Sequence, residues 1–194
     1  MSFRVFKAAT SIVVFSLYLI TAARASSVVP LDLDEIIAGA EHIVHVRCTG
    51  NAVESDPDVG VVTISSFVVL DRAKGAAAST FAVRQAGGEL QGVKVDYHVP
   101  KFRAGDEYVL FMPPPSRLGL ASPVGLAQGA FSVLPGAAGK EVSNGRDFAE
   151  LISAADAARL PPRMAARLKQ ERHARSRADL GEFMALTRAK AVTR

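Results

Sequence analysis

Residues 84–111 read RQAGGELQGVKVDYHVPKFRAGDEYVLF, and the class of fold turns on the segment into which the glycines lead. A phosphate cradle needs glycines that open onto a helix N-terminus, where free amides face the anion, with a lysine beside a serine or threonine. Here Gly87 and Gly88 lead instead into an alternating, β-branched segment with no such pair. The glycines are therefore read as turn or bulge residues that tolerate positive φ. Gly105, in Ala104-Gly105-Asp106, makes a tight turn into the strand that ends in EYVLFM, and Gly87, Gly88 and Gly105 are assigned structural roles.

Working outward, the same β character continues on both sides. Residues 43–53 and 61–70 form strands, the second with Val62, Ile64, Val68 and Leu70 on one face and Ser65-Ser66 interrupting it at a bulge. Residues 80–85 alternate Phe81 and Val83 with Ala82 and Arg84. ELQGVKVDYHV is a further strand, the prolines after Met112 stop the next, and SPVGLAQGAFSVL gives two more, broken at Gly129. Six or seven short strands without alternating helices predict a mainly β fold, a small closed barrel or sandwich.

Helices flank this body. Asp32 or Asp34 caps a short helix that ends near Gly39. Asp147 caps one carrying Phe148, Leu151, Ile152 and Ala155, which Pro161-Pro162 stops. RMAARLKQERHARSR has a thin apolar stripe, Met164 and Leu168, and reads as a solvated connector containing His173. Asp179 caps a last helix with Leu180, Phe183, Met184 and Leu186 near one face.

The first 25 residues have the three parts of a secretory signal: Arg4 and Lys7, an apolar run over residues 8–22, and Ala23-Arg24-Ala25 before a cleavage at Ser26. That run is shorter than the roughly 20 residues of a spanning helix. The expected product is exported, periplasmic or extracellular. The organisation is thus signal 1–25, β domain 26–146 and C-terminal helical segment 147–194.

Charge is distributed unevenly. The formal charge of +4 includes the signal, whereas residues 26–154 carry 10 basic and 15 acidic residues, net −5, and residues 155–194 carry 10 and 4, net +6. The basic end suits an anionic membrane surface in peripheral contact, an acidic partner, or the acidic body of its own chain, with self-docking or solvation the default. Its arginines are not interleaved with aromatic residues, and with export this argues against nucleic acid.

Chemistry-bearing residues are few. Cys48, the single cysteine, cannot form an internal disulfide and shares a strand face with Val44 and Val46, away from His45 and Arg47. It reads as a buried, inert thiol. His42 and His45 are three apart, and on a strand this sends them to opposite faces, against a shared metal. Asp96 and His98 share one strand face but lack a third ligand. Asp106-Glu107 reads as strand entry, and Tyr97, Phe102 and Tyr108 as core or half-buried rings. No catalytic, metal or cofactor residue is assigned.

The order of AEHIVHVRCTG, LDRAKG, FAVRQAGG and FRAGDEYVLFM resembles the tissue inhibitor of metalloproteinases and netrin-like superfamily. It also resembles a group of exported bacterial proteins whose glycine pair and Tyr-hydrophobic-Phe strand precede a segment like VGLAQGAF, residues 124–131. The resemblance covers residues 40–133 and implies a five-stranded OB-like closed barrel with helices at its ends. The inhibitors' zinc-binding N-terminal cysteine has no counterpart, since Ser26 is the expected N-terminus, so no functional residue carries over. The leading expectation is a non-enzymatic exported module that binds a protein or envelope component through the tail. The alternative is a small envelope hydrolase using separated residues such as Asp96 and His98. Oligosaccharide or oligonucleotide binding on the barrel face follows from fold analogy alone and is the weakest reading, which an exposed aromatic ladder on the second and third strands would revive.

Overall fold

The computed structural model describes residues 29–76, 78–170 and 176–192. The signal and its cleavage residues Ala23, Ala25 and Ser26, together with His173, lie outside the described residues.

A 15-residue strand β1 (His42–Asp56) pairs along its whole length with β2 (Gly60–Lys74), which pairs in turn with β3 (Thr80–Ala86). The first half of β1 also pairs with β6 (Glu107–Met112), followed by β7 (Ala130–Gly136), β8 (Gly139–Ser143) and the two-residue β9 (Ala178–Asp179). The result is one antiparallel sheet in the order β3-β2-β1-β6-β7-β8-β9. Its ladders end at β3 and at β9, so among the described residues they do not close the barrel expected from the sequence. Extra residues bend the β1–β2 ribbon: Thr49 has no register partner on β2, and Leu70 and Ala73 have none on β1. The bulge expected at Ser65-Ser66 is thus on the facing strand.

The sheet is covered on both sides. In β6, Tyr108, Leu110 and Met112 face one core with Val44, Val46, Cys48, Phe67, Val83 and Phe102, while Val109 and Phe111 face the other. The second core joins Ile43, Phe131 and Val142 to the helices: α1 (Leu33–Gly39), α2 (Phe148–Leu151), α4 (Pro162–Leu168) and α5 (Leu180–Val192), with the one-turn α3 (Ala154–Ala157) between α2 and α4. Phe131 and Phe183 meet here at 4.8 Å between ring centroids. The C-terminal segment therefore completes the core of the sheet rather than hanging from it.

Capping follows the local chemistry. Asp32 closes a capping box with Glu35 on α1, Asp147 accepts from the Ala149 amide, and Asp179 accepts from the Glu182 amide. Pro162 stands at the start of α4, where its missing N–H is harmless, so Pro161-Pro162 opens a helix as well as following one. Three strand expectations change. Of the face expected on β2, Val62 is buried, but from Ser65 onward the inward positions are Ser65, Phe67 and Val69, and Leu70 is 40% exposed. ELQGVKVDYHV is a hairpin, β4 (Gly88–Leu90) and β5 (Val93–Val95), turning at Gln91 and Gly92 with φ of +50° and +81°. The first half of SPVGLAQGAFSVL is loop and a 3-10 turn (Leu126–Gly129), not strand. There the Gln128 side chain accepts from the Leu31 amide at 2.8 Å and from Arg146 at 2.8 Å.

Candidate functional site

The segment around Gly87 and Gly88 lines a groove of about 380 Å³. Its walls are Asn51 of β1, Thr63 and Ser65 of β2, Gln85 and Ala86 of β3, the β4–β5 hairpin and the loop from Asp96 to Phe102. Gly87 and Gly88, at φ of +97° and +143°, fold the hairpin over it. A Cβ at Gly87 would stand 2.8 Å from the Val95 carbonyl oxygen, and one at Gly88 would stand 2.7 Å from Thr63 Oγ1. Only glycine permits both the dihedral and the approach. The Thr63 hydroxyl donates to the Gly87 carbonyl at 2.7 Å and pins the turn from below.

The buried polar groups of the groove are uncharged, and they sit in a lining that also includes Ala86, Val95, Val99, Pro100 and Phe102. Ser65 is 1% exposed and Gln85 3% exposed, both on inward positions of strands whose other inward residues are apolar. Gln85 Nε2 donates to Ser122 Oγ at 3.3 Å, leaving its carbonyl oxygen without a partner among the described residues. The Ser65 hydroxyl likewise has none. Neither is a sealed orphan, since the one fully buried side-chain polar atom without a partner among the described residues is Arg72 Nε; the two groups open onto the groove and are accessible to a polar ligand group. At one end the groove meets Phe102, whose ring is edge-on to Phe67 at 5.2 Å and to Tyr108 at 5.1 Å. Through Phe102 the groove adjoins the aromatic part of the sheet's first core.

Charges appear only at the mouth. Asp96 Oδ2 accepts from Lys101 at 2.8 Å and Oδ1 accepts from the His98 amide at 2.8 Å, and the lysine bond above all holds this carboxyl down at about 2. Glu89 and Lys94 face one another in the hairpin register. Tyr97 is 57% exposed beside Gly87.

The residues singled out by sequence fall differently. Asp96 and His98 lie in a loop past the end of β5, not on a strand face, and His98 does not line the groove. His42 stacks edge-on against Phe81 while His45 bonds Glu107, so the two histidines have separate partners. Among the described residues no cluster of three metal-ligating side chains occurs. Cys48 is buried, and that burial raises its thiol pKa. Phe102 and Tyr108 are buried, in keeping with core rings, whereas Tyr97, expected to be at least half-buried, is exposed. Phe67 and Phe81 pack into the core, so β2 and β3 carry no exposed aromatic ladder.

Glu107 is more than strand entry. Burial alone would push its carboxyl up, but hydrogen bonds from Lys140, Arg47 and His45 prevail and hold it at about 2. The bonds measure 2.7 Å from Lys140, 2.7 Å from Arg47 and 2.9 Å from His45 Nε2. The missed signal was the His45–Arg47 spacing of two on one face of β1, where Glu107 of the neighbouring strand reaches both.

The basic C-terminal segment docks on its own body. Arg167 and Arg177 pair with Glu141, Arg188 with Asp71 and Lys190 with Asp34, while a second Lys190 bond, to Asp156, stays within the segment. Among the described residues no helix is long and apolar enough to cross a membrane. Compared with protein-family models, curated proteins and solved structures, the chain gives no match.

Proposed function

We propose that the chain is an exported binding module for an envelope component and that its ligand site is the groove beneath the β4–β5 hairpin. The observation that carries this is the pair Ser65 and Gln85, buried on the cavity wall with open hydrogen-bonding capacity. The arrangement suits recognition better than turnover. Both oxygens of Asp96 are committed, and the one thiol is buried with its pKa raised. The tail is a weaker candidate for the contact than it was in the sequence, because so many of its cations already bond the body. Export rests on the N-terminal signal pattern.

An OB-like, netrin-like ancestry belongs to this proposal. It is supported by the long bent β1 shared between β2 and β6 and by helices packed at one side of the sheet. Against full closure stand the unjoined ends at β3 and β9.

The test is retention of tagged residues 26–194 on immobilised envelope extract, with a Gln85→Leu variant, an Arg188→Ala variant and a high-salt wash. Retention lost with Gln85→Leu but kept with Arg188→Ala and in salt supports the groove. Retention lost with Arg188→Ala or released by salt, and indifferent to Gln85→Leu, returns the contact to the tail.

A further inference from the structure

We infer that the groove takes a neutral saccharide unit, an inference that rests on the groove being the ligand site. The wall groups available are hydroxyl and amide: Ser65 and Thr63 each offer acceptor capacity, Ser65 also a donor, and Gln85 an open carbonyl oxygen. Such groups match a ring bearing several hydroxyls, each both donor and acceptor. A charged ligand group placed among them would lose hydration and find charges only on the exposed lining residues Glu89, Lys94, Asp96 and Lys101, where the two signs balance.

The mouth reinforces this selection. Asp96 is paired with Lys101, and Glu89 lies opposite Lys94, so the rim presents two charges of each sign and no net charge to favour an ion of either sign. Tyr97 stands at the rim with its ring largely open, beside Gly87. An aromatic face beside hydroxyl and amide groups gives the apolar C–H face of a sugar ring something to stack on.

An extended peptide would use the edge of β3 instead, through main-chain bonds. That edge is held at its centre: the Arg84 carbonyl accepts from the Ala121 amide at 2.9 Å, and Arg84 Nη1 donates to the Leu118 carbonyl at 3.0 Å. What remains for recognition is side chains in a cavity at the small end of the usual range of roughly 300–1,000 Å³, enough for one short saccharide segment.

The experiment is an array of neutral oligosaccharides, acidic oligosaccharides and peptides probed with residues 26–194. The strongest neutral hit is then titrated against wild type, Gln85→Leu and Tyr97→Ala. Tyr97 is exposed, so its variant keeps the fold and separates loss of binding from loss of structure. Neutral glycans retained, with each variant weakening them by about tenfold or more, is the expected result. Preference for acidic glycans or peptides, or neutral binding indifferent to both variants, overturns the saccharide assignment. An empty array alongside envelope retention that still depends on Gln85 overturns the saccharide and leaves the groove standing. Loss of both overturns the two together.

Discussion

Lys190 Nζ lies 2.8 Å from Asp34 Oδ1, joining the last helix to the first across 156 positions of sequence. The same ammonium is 2.7 Å from Asp156 Oδ2, and its side chain is only 16% exposed. Burial pulls the lysine pKa down, but the bonds to Asp156 and Asp34 outweigh it and the net direction is up. The basic end of the chain is thus a clamp on the acidic body. Lys190→Ala should lower stability by about 1–2 kcal/mol, read as a shift in the urea midpoint. Coupling of about 1 kcal/mol with Asp34→Asn in a double-mutant cycle would identify the pair as the cause. Additive effects would contradict the clamp.

Glu107 should dominate the acid limb of stability. Its carboxyl is depressed from 4.5 to about 2 in the folded chain. Its contribution is therefore complete above the unfolded value and is lost as pH falls from 4.5 toward 2. Unfolding followed by circular dichroism should show a steep loss across that window. Glu107→Gln should be less stable at neutral pH by about 2 kcal/mol and flatter in the acid range. An unchanged acid limb in the variant would count against the hub.

Cys48 should be silent toward alkylating reagents in the folded chain. It is 1% exposed, and burial raises its pKa, so little thiolate forms at neutral pH. Mass spectrometry after iodoacetamide should find modification only once denaturant is added. Rapid labelling of the native chain would overturn the burial.

The hairpin over the groove should respond unequally to changes at its tight positions. Gly88→Ala meets Thr63 and Val53 atoms within 2.8 Å at a φ of +143° and should destabilise by roughly 1–3 kcal/mol. Gln91→Asn creates Asn-Gly in a turn with both φ positive and should stabilise by about 0.5 kcal/mol. Thermal melts of the two variants moving in the same direction would refute the turn assignment.

What the sequence showed was what nearest neighbours determine. The caps Asp32, Asp147 and Asp179, the alternation of Val44, Val46 and Cys48 and the turn at Gly105 depend on residues within a few positions of one another. The pairing of β9 with β8 could not be read, because Ala178 and Asp179 have no strand pattern and are recruited by a preformed edge. The groove was missed for the same reason: Asn51, Ser65, Gln85 and Tyr97 are far apart in sequence and meet only once β1 and β2 bend. A faint signal was present in Ser65 and Gln85, polar residues on inward strand positions, which a reading centred on motifs treats as interruptions.

The most direct measurement is an amide chemical-shift map of labelled residues 26–194 titrated with a soluble neutral-glycan digest of the envelope. A saccharide-binding groove predicts shifts at Thr63, Ser65, Gln85, Gly87 and Tyr97, with α4 and α5 unmoved. Shifts confined to α4 and α5, or none in the groove at saturating digest, would contradict it.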